Sequence, residues 1–312
     1  MNYYNIISNL HLRDSVLKNT SKNQSYHKIS GNSLILKHCR GNIGHWINDH
    51  YYSFYVLATR SETFDIRSFD NILIPAKPYR NHAYIALNCL PVDIQKRVII
   101  LDEGVDYSIQ NAYIGCTDRK MSFRENNKTL IGEMRSNFLK NTGAKSDENN
   151  GIFIYQNNYP HDTTTYGRRI LNLPDVKDFL KSINRDVYCV ESADWFTRNT
   201  PEFIFNKLTS FRNFLGPWGA WSCNLILAPA ESRIHLLIHP DNHQSWYENK
   251  HTPIPWSQSY LHNVELGNYF NYINPQCISP TESPPDGLQE RMKQPNVVCD
   301  FIVDINSIPS FI

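Results

Sequence analysis

The fold of this chain is most constrained by short apolar runs that alternate with helical segments on both sides of a polar stretch. Such runs are typical of the buried strands of a parallel sheet. They cover residues 33–36, 71–75, 97–101, 151–155, 186–190, 225–227 and 234–238. Helical patterns cover residues 45–60, 175–182 and 201–208. Thr200 and Pro201 predict the start of the last helix, as its N-cap and its first residue.

The polar stretch between the two halves, residues 142–151, predicts an interdomain linker. Strand–helix alternation on both sides of it predicts the α/β class, with two Rossmann-like domains that face a cleft. The predicted domains are residues 1–145 and 146–312, and a length of 312 residues suits two such domains. The carboxyl ends of the parallel strands would line the cleft, where ligands of such sheets bind.

Charge and composition exclude several classes of protein. The formal net charge is +1 and no basic stripe is present, so nucleic acid is not an expected partner. The apolar run 98–101 is far shorter than the roughly 20 residues that span a bilayer, and the first residues lack the pattern of a secretion signal. Seven cysteines, never spaced as CxxC, indicate reduced thiols and no structural zinc. We therefore expect a cytoplasmic protein, at most peripheral to the inner membrane face.

The first stretch that could carry chemistry is residues 42–49. His45 and Asp49 are four residues apart and would share one helix face. A histidine and a carboxylate at the mouth of a cleft could supply the general base that deprotonates an attacking hydroxyl. A hydrogen-bonded structural histidine and a carboxylate at a helix end would use the same residue types, so both interpretations stay open.

The second half contains two candidate anion sites. Arg168 and Arg169 are adjacent, so their side chains point in different directions and at most one would reach a given phosphate. Residues 215–225 contain a Gly-rich turn that is predicted to open a helix, and free backbone N–H groups there could bind an anion. Gly219 and Ala220 would allow a diphosphate to approach the backbone closely. A surface arginine pair and a tight turn without a ligand are the alternatives.

A polar loop follows the last of these apolar runs and contains His239, His243 and His251. The spacing could suggest a metal, but the HExxH motif of zinc enzymes is not present. We therefore interpret the loop as part of the cleft rim, where it could touch polar groups of a substrate, and we expect no metal.

Taken in order, these stretches resemble the family 61 glycosyltransferases, which include capsular-polysaccharide biosynthesis proteins. Residues 42–49 resemble the family's N-terminal signature, and residues 168–172 match its arginine–asparagine element. Residues 191–208 parallel the segment that leads into the family's glycine turn. Gly219 and Ala220 match that turn, together with Asn224 and Pro229, and residues 301–304 resemble the closing strand. The likeness covers about residues 30–305 and rests on order and spacing.

This resemblance implies an inverting, metal-independent glycosyltransferase of GT-B architecture that needs no cofactor. It would move a sugar from a nucleotide sugar to a glycan or lipid-linked glycan acceptor in cell-surface polysaccharide biosynthesis. Residues 1–145 would form the acceptor-side domain and residues 146–312 the nucleotide-sugar-side domain. The implied catalytic residues are Asp49, as the base, and His45, which orients it, although His45 alone could serve as the base. The implied donor-binding residues are Arg168, Arg169, Gly219, Ala220 and Asn224. The possible substrate contacts are Asn42, Trp218 and His239.

The chain departs from the family pattern around the donor turn. Trp218 stands where members commonly carry His, and Trp221 stands where they carry Gly. Leu236 stands where a Glu usually lies, and Tyr155–Gln156 replaces a Ser-Arg pair. These departures keep a second hypothesis open, a non-catalytic glycan- or nucleotide-binding protein that retains the fold. A third, an unrelated two-domain α/β hydrolase, is disfavoured because the chain lacks a Gly-x-Ser-x-Gly elbow.

Overall fold

The structure is a computed structural model in which the chain divides into two compact units, residues 1–143 and 144–312. The division falls inside the polar stretch 142–151. The acceptor-side and donor-side roles of the two halves stay predictions. The structure describes residues 27–36, 51, 54, 55, 58, 59, 65–75, 80–102, 105, 107–115, 127–143, 151–156, 169–191, 195–217, 221, 224, 225, 228, 229, 232–238, 269–273, 276–278 and 300–310.

In the described part of unit 1, four parallel strands form one sheet in the order β3-β2-β1-β4. The strands are β1 His27–Leu36, β2 Asn71–Pro75, β3 Val98–Leu101 and β4 Tyr107–Gly115. The helices are α1 Arg80–Cys89, α2 Val92–Gln95 and α3 Asn127–Thr142, and a 3₁₀ turn covers Ile66–Ser68. The chain adds β2 and β3 on one side of β1 and then β4 on the other, so the strand order reverses between β1 and β4.

The pairing of β1 with β4 is interrupted by a local irregularity. The pairing register shifts between Ile29 and Asn32, where Gly31 has a φ of +84°. This positive φ favours glycine, and a Cβ at Gly31 would also force the Asp70 carboxylate to shift. On both sides of this irregularity, apolar side chains of β1 and β4 pack with those of β2 and β3. This cluster contains Ile29, Ile35, Leu73, Ile99, Leu101, Tyr107, Ile109 and Ala112.

Helical residues from three segments pack together in unit 1. The described residues between 51 and 59 are helical, and their side chains at positions 51, 54, 55 and 58 are buried at helical spacing. The Tyr51 hydroxyl donates to the Ala86 carbonyl of α1 at 2.7 Å. The Asn137 amide of α3 donates to the Tyr55 hydroxyl at 3.1 Å and to the Cys89 carbonyl at 3.2 Å. These contacts join the segment after β1 to α1 and α3.

In the described part of unit 2, five parallel strands form one sheet in the order β6-β5-β7-β8-β9. The strands are β5 Ile152–Tyr155, β6 Val187–Val190, β7 Asn213–Pro217, β8 Arg233–Leu237 and β9 Tyr269–Ile273. The helices are α4 Leu173–Ser182, α5 Trp195–Arg198 and α6 Pro201–Thr209. An antiparallel pair, β10 Gln276–Ile278 and β11 Asp300–Ile302, precedes a 3₁₀ helix over Ile305–Ser310. The strand order reverses between β5 and β7.

Most of the predicted elements that the structure describes are confirmed. Strands β2, β3, β5, β6 and β8 match the predicted apolar runs to within a residue at each end. Helix α6 begins as predicted, with the Thr200 hydroxyl accepting the Phe203 N–H at 3.3 Å. The α/β class is therefore confirmed, and parallel sheets with these strand orders are compatible with two Rossmann-like domains.

Two sequence predictions around residue 225 are wrong. Leu225 was expected in a strand, but it lies in a 3₁₀ turn. Strand β7 is the neighbour of β5 in the sheet. Leu225 is buried as well, but as part of a turn. The helix predicted after the Gly-rich turn is likewise replaced, at Trp221 and Asn224, by 3₁₀ geometry.

No helix in the described ranges combines the length and the apolar character needed to cross a bilayer.

Candidate functional site

The strand reversal of unit 2 lies between the carboxyl ends of β5 and β7. Doubly wound sheets bind ligands in the crevice outside the strand ends at such a reversal. Ile154 pairs with Leu215, so the next residues, Tyr155 and Gly216, lie side by side at this edge. A Cβ on Gly216 would lie 2.9 Å from the Tyr155 carbonyl oxygen. Only a glycine fits here without a shift of its neighbours.

The indole of Trp221 occupies the space at this strand edge. Its ring stacks on the ring of Tyr155, with centroids 4.8 Å apart and planes inclined by 17°. A Cβ on Gly216 would lie 2.6 Å from Cζ2 of the indole. The indole N–H donates to the Pro217 carbonyl at 2.5 Å, and Trp221 is only 5% exposed. The closest approach to Gly216 is therefore made by a side chain of the protein itself.

Asn224, a predicted donor-binding residue, is part of the turn that carries this indole. Its side-chain amide donates to the Trp221 carbonyl at 2.9 Å, and Asn224 is buried. The described contact is thus internal to the turn and shapes the backbone of Trp221. Gly219, Ala220 and Trp218 lie outside the described residues.

Arg169, the second predicted donor-binding residue that the structure describes, is held by Asp300 of β11. Its guanidinium Nη2 and Nε donate to Oδ2 of Asp300 at 2.8 and 3.1 Å, and its backbone N–H donates to Oδ1 at 2.8 Å. The Asp300 side chain is 2% exposed and that of Arg169 is 23% exposed. This geometry favours a structural role for Arg169. Arg168 lies outside the described residues.

The whole Arg169–Asn172 segment is docked on the closing strand. Ile170 and Phe301 form a parallel bridge, with the Phe301 N–H donating to the Arg169 carbonyl at 2.7 Å. The Asn172 amide donates to the Val303 carbonyl at 2.8 Å and accepts the Val303 N–H at 3.0 Å. The structure therefore brings together two segments, 169–172 and 301–304, that the sequence singles out separately.

This docked segment, which we call the Arg169 clasp (residues 169–172 and 300–303), also reaches the end of β5. Gln156 follows Tyr155 directly, and its side-chain oxygen accepts the Ile170 N–H at 3.2 Å. Its own N–H donates to the Val190 carbonyl of β6 at 2.7 Å. The Trp221 stack and the Arg169 clasp thus contact the end of β5 at adjacent residues, Tyr155 and Gln156.

The N-terminal candidates follow the corresponding strand end of unit 1 in the chain. Strand β1, at the reversal of that sheet, ends at Leu36. Asn42, His45 and Asp49 come next in sequence and lie outside the described residues, as does His239 after β8.

Burial determines the state of the nearby titratable side chains. His235 of β8 is 1% exposed, and burial, together with the nearby charge of Arg233, lowers its pKa to about 4. Burial raises the pKa of the Cys189 thiol to about 11, against a smaller opposing effect of Lys177. At neutral pH His235 is therefore uncharged, so it has no proton to give as an imidazolium general acid. Cys189 is protonated, so it is not a thiolate nucleophile.

A separate open pocket of about 530 Å³ lies in unit 1 and has no counterpart among the sequence predictions. Its walls come from segments distant in sequence, so no local pattern indicates it. It is lined by Tyr55, Thr59, Arg67, Pro91, Gly132, Glu133, Ser136 and Asn137. Arg67 pairs with Asp93 at 2.7 Å on an exposed surface. We assign this pocket no catalytic role.

Across the described ranges, no group of three His, Cys, Asp or Glu side chains could hold a metal ion. No protein-family model matches the sequence, and no curated protein matches it either. The resemblance to the family 61 glycosyltransferases therefore stays a prediction drawn from the order and spacing of the motifs.

Proposed function

We propose that this protein is an inverting, metal-independent glycosyltransferase that moves a sugar from a nucleotide sugar to a glycan acceptor. Unit 2 would take the donor and unit 1 the acceptor, as in the GT-B architecture, with the two units facing a cleft. One observation carries the proposal. The candidate segments of both halves follow the carboxyl ends of strands at the two reversals of strand order, which are the ligand-binding edges of such sheets.

The reaction needs one base and one group that stabilises the leaving diphosphate. The acceptor hydroxyl oxygen attacks the anomeric carbon, the bond from that carbon to the diphosphate oxygen breaks, and the nucleoside diphosphate leaves with the bonding electrons. Asp49 would take the hydroxyl proton, with His45 orienting it. Since Asp300 already holds Arg169, we assign Arg168 as the arginine that neutralises the diphosphate.

The cellular setting is part of the same proposal. The resemblance supports cell-surface polysaccharide biosynthesis, with a lipid-linked glycan as the acceptor. The enzyme would then work in the cytoplasm, in peripheral contact with the inner membrane face.

A second candidate function is favoured by the Trp221 stack. A non-catalytic glycan- or nucleotide-binding protein could keep the fold while a side chain fills the crevice beside Gly216. Such a protein would bind a sugar or a nucleotide without turnover.

Release of nucleoside diphosphate from a panel of nucleotide sugars, with and without a glycan acceptor and in the presence of EDTA, separates the two candidates. We expect release by the wild-type protein, a loss of about a hundredfold or more in Asp49→Asn, and full activity in Asp102→Asn. Asp102 is an exposed carboxylate of the same unit and is the matched control.

Full turnover in folded Asp49→Asn and His45→Ala variants would contradict the assignment of the base. If the wild-type protein releases nothing from any donor but binds a nucleotide or a glycan, the binding-protein candidate replaces the enzyme.

A further inference from the structure

An indole from outside the strands packs at the edge of the unit 2 sheet where a ligand crevice is expected. Trp221 comes four residues after Pro217, the end of β7, and lies in a 3₁₀ turn. Its described polar contacts avoid the paired residues of β5 and β7. The indole N–H donates to the carbonyl of Pro217, which lies beyond the last β5–β7 pair, and Asn224 donates to the Trp221 carbonyl. Movement of the indole would therefore leave the ladder between β5 and β7 intact.

The indole lies where a ligand of this sheet would approach the backbone. One face of the ring covers Tyr155, and the ring edge at Cζ2 and Cε2 contacts the position of Gly216. A phosphate reaches a strand end most closely where a glycine leaves the backbone bare. Gly216 is such a glycine, but the indole of Trp221 already packs against its backbone.

We propose that Trp221 is a built-in occupant of the ligand crevice of unit 2 and determines which ligand can enter it. A nucleoside diphosphate reaches Gly216 only when the indole leaves its stack on Tyr155. This inference rests on the proposed function in one respect, the choice of a nucleoside diphosphate as the ligand class.

A ligand that displaces the indole can stack on the same surface, the ring of Tyr155. The Tyr155 ring also contacts Phe196, with centroids 5.9 Å apart, so this second aromatic contact holds the ring when the indole departs. An aromatic face fixed in this way can stack a planar ring from a ligand as well as it stacks an indole. Smaller side chains at position 221 should therefore open the crevice without disordering Tyr155.

The test measures binding of UDP, CDP, GDP and ADP to the full-length protein by calorimetry, in EDTA, for four proteins. These are the wild type, Trp221→Ala, Trp221→Phe and Trp195→Ala. Trp221→Phe keeps a ring on Tyr155 but removes the part of the indole that contacts Gly216, and it protects the test against a failure of Trp221→Ala to fold. Trp195 is a half-buried indole of the same unit whose N–H bonds the Tyr188 hydroxyl, so Trp195→Ala is the matched control.

We expect at least one of the four nucleotides to bind Trp221→Ala at least tenfold more tightly than it binds the wild type, with a smaller gain in Trp221→Phe and none in Trp195→Ala. The proposal is overturned if the folded Trp221 variants bind no nucleotide more tightly than the wild type does. Tight binding by the wild type itself would overturn this inference and leave the glycosyltransferase proposal standing. Donor turnover by the wild type tests that proposal separately.

Discussion

Arg169 and Asp300 lie 131 residues apart in the sequence and form a two-sided contact in unit 2. The carboxylate of Asp300 accepts the Arg169 guanidinium with one oxygen and the Arg169 backbone N–H with the other. Its side chain is almost completely buried, whereas the guanidinium is about a quarter exposed. The contact ties the segment before α4 to β11, beside the strand end that carries the Trp221 stack.

Removing one partner of this ion pair should be costly. Asp300→Ala removes the carboxylate that accepts both the Arg169 guanidinium and the Arg169 backbone N–H, so we expect the free energy of unfolding to fall by about 3–5 kcal/mol. Urea denaturation measures the change. The matched control is Asp93→Ala, which breaks an exposed pair with Arg67 at the same 2.7–2.8 Å and should cost less than about 1 kcal/mol. Equal losses in the two variants would show that the clasp contributes no more than a surface pair.

The contact between Gly216 and Trp221 should appear as an energetic coupling. Gly216→Ala places a Cβ 2.6 Å from the indole and 2.9 Å from the Tyr155 carbonyl, so we expect a loss of about 1–3 kcal/mol. In a Trp221→Ala background the same change should cost less, because the indole clash is gone and the carbonyl contact remains. A double-mutant cycle in urea measures the coupling. Additive losses would contradict the close packing of these two residues.

Stability should decrease in acid because of His235. Its pKa is about 4 in the folded protein, below the ordinary 6.5, so the unfolded chain binds the proton first as the pH falls. The stabilisation from the neutral imidazole is complete above pH 6.5 and decreases between 6.5 and 4, by roughly 3 kcal/mol at most.

The measurement is the difference in unfolding free energy between the wild type and His235→Gln at several pH values. We expect this difference to decrease as the pH falls through that window. The control is His27→Gln, since that side chain is exposed. A difference that does not change between pH 7 and 4 would contradict the low pKa of His235.

The buried guanidinium of Arg135 in α3 should lower the free energy of unfolding. The residue is 6% exposed, and burial lowers the pKa of its guanidinium to about 10. In the part of the chain that the structure describes, no carboxylate pairs with it. Removing a guanidinium from water costs free energy, so Arg135→Met should raise the free energy of unfolding by about 1–3 kcal/mol.

Lys140→Met on the same helix is the matched control for Arg135→Met, because Lys140 is exposed and should change stability by less than about 0.5 kcal/mol. Thermal and urea unfolding measure both variants. A clear loss of stability in Arg135→Met would show that the guanidinium has a stabilising role in the folded protein.

Local sequence patterns were sufficient for the elements whose burial is encoded in consecutive residues. Strands β2, β3 and β5 lie in apolar runs, and the start of α6 is indicated by the N-cap Thr200 and by Pro201 at the first position. In each case the signal and the structure involve the same few residues, so the α/β class could be predicted.

Elements with mixed composition were missed. Strand β7, Asn213–Pro217, carries an amide, a glycine and a proline, and β4, Tyr107–Gly115, alternates polar and apolar residues and pairs with its partner through a shifted register. Their strand conformation depends on the neighbours with which they pair, β5 and β1. Helix α3 is also not predicted from its local sequence. Its Asn137 and Asn141 side-chain amides donate to backbone carbonyls of α1, which are distant in sequence.

The sequence by itself determined the alternation of strands and helices, the polar stretch between the halves and the segments in which chemistry was sought. Tertiary structure alone decided the roles of Arg169, Asn224 and Trp221, because each is defined by a contact across the fold or within a turn of unpredicted geometry. A guanidinium available to a phosphate and one held by a buried carboxylate look the same in sequence. Only the packing of β11 against the segment before α4, and of an indole against Gly216, distinguishes them.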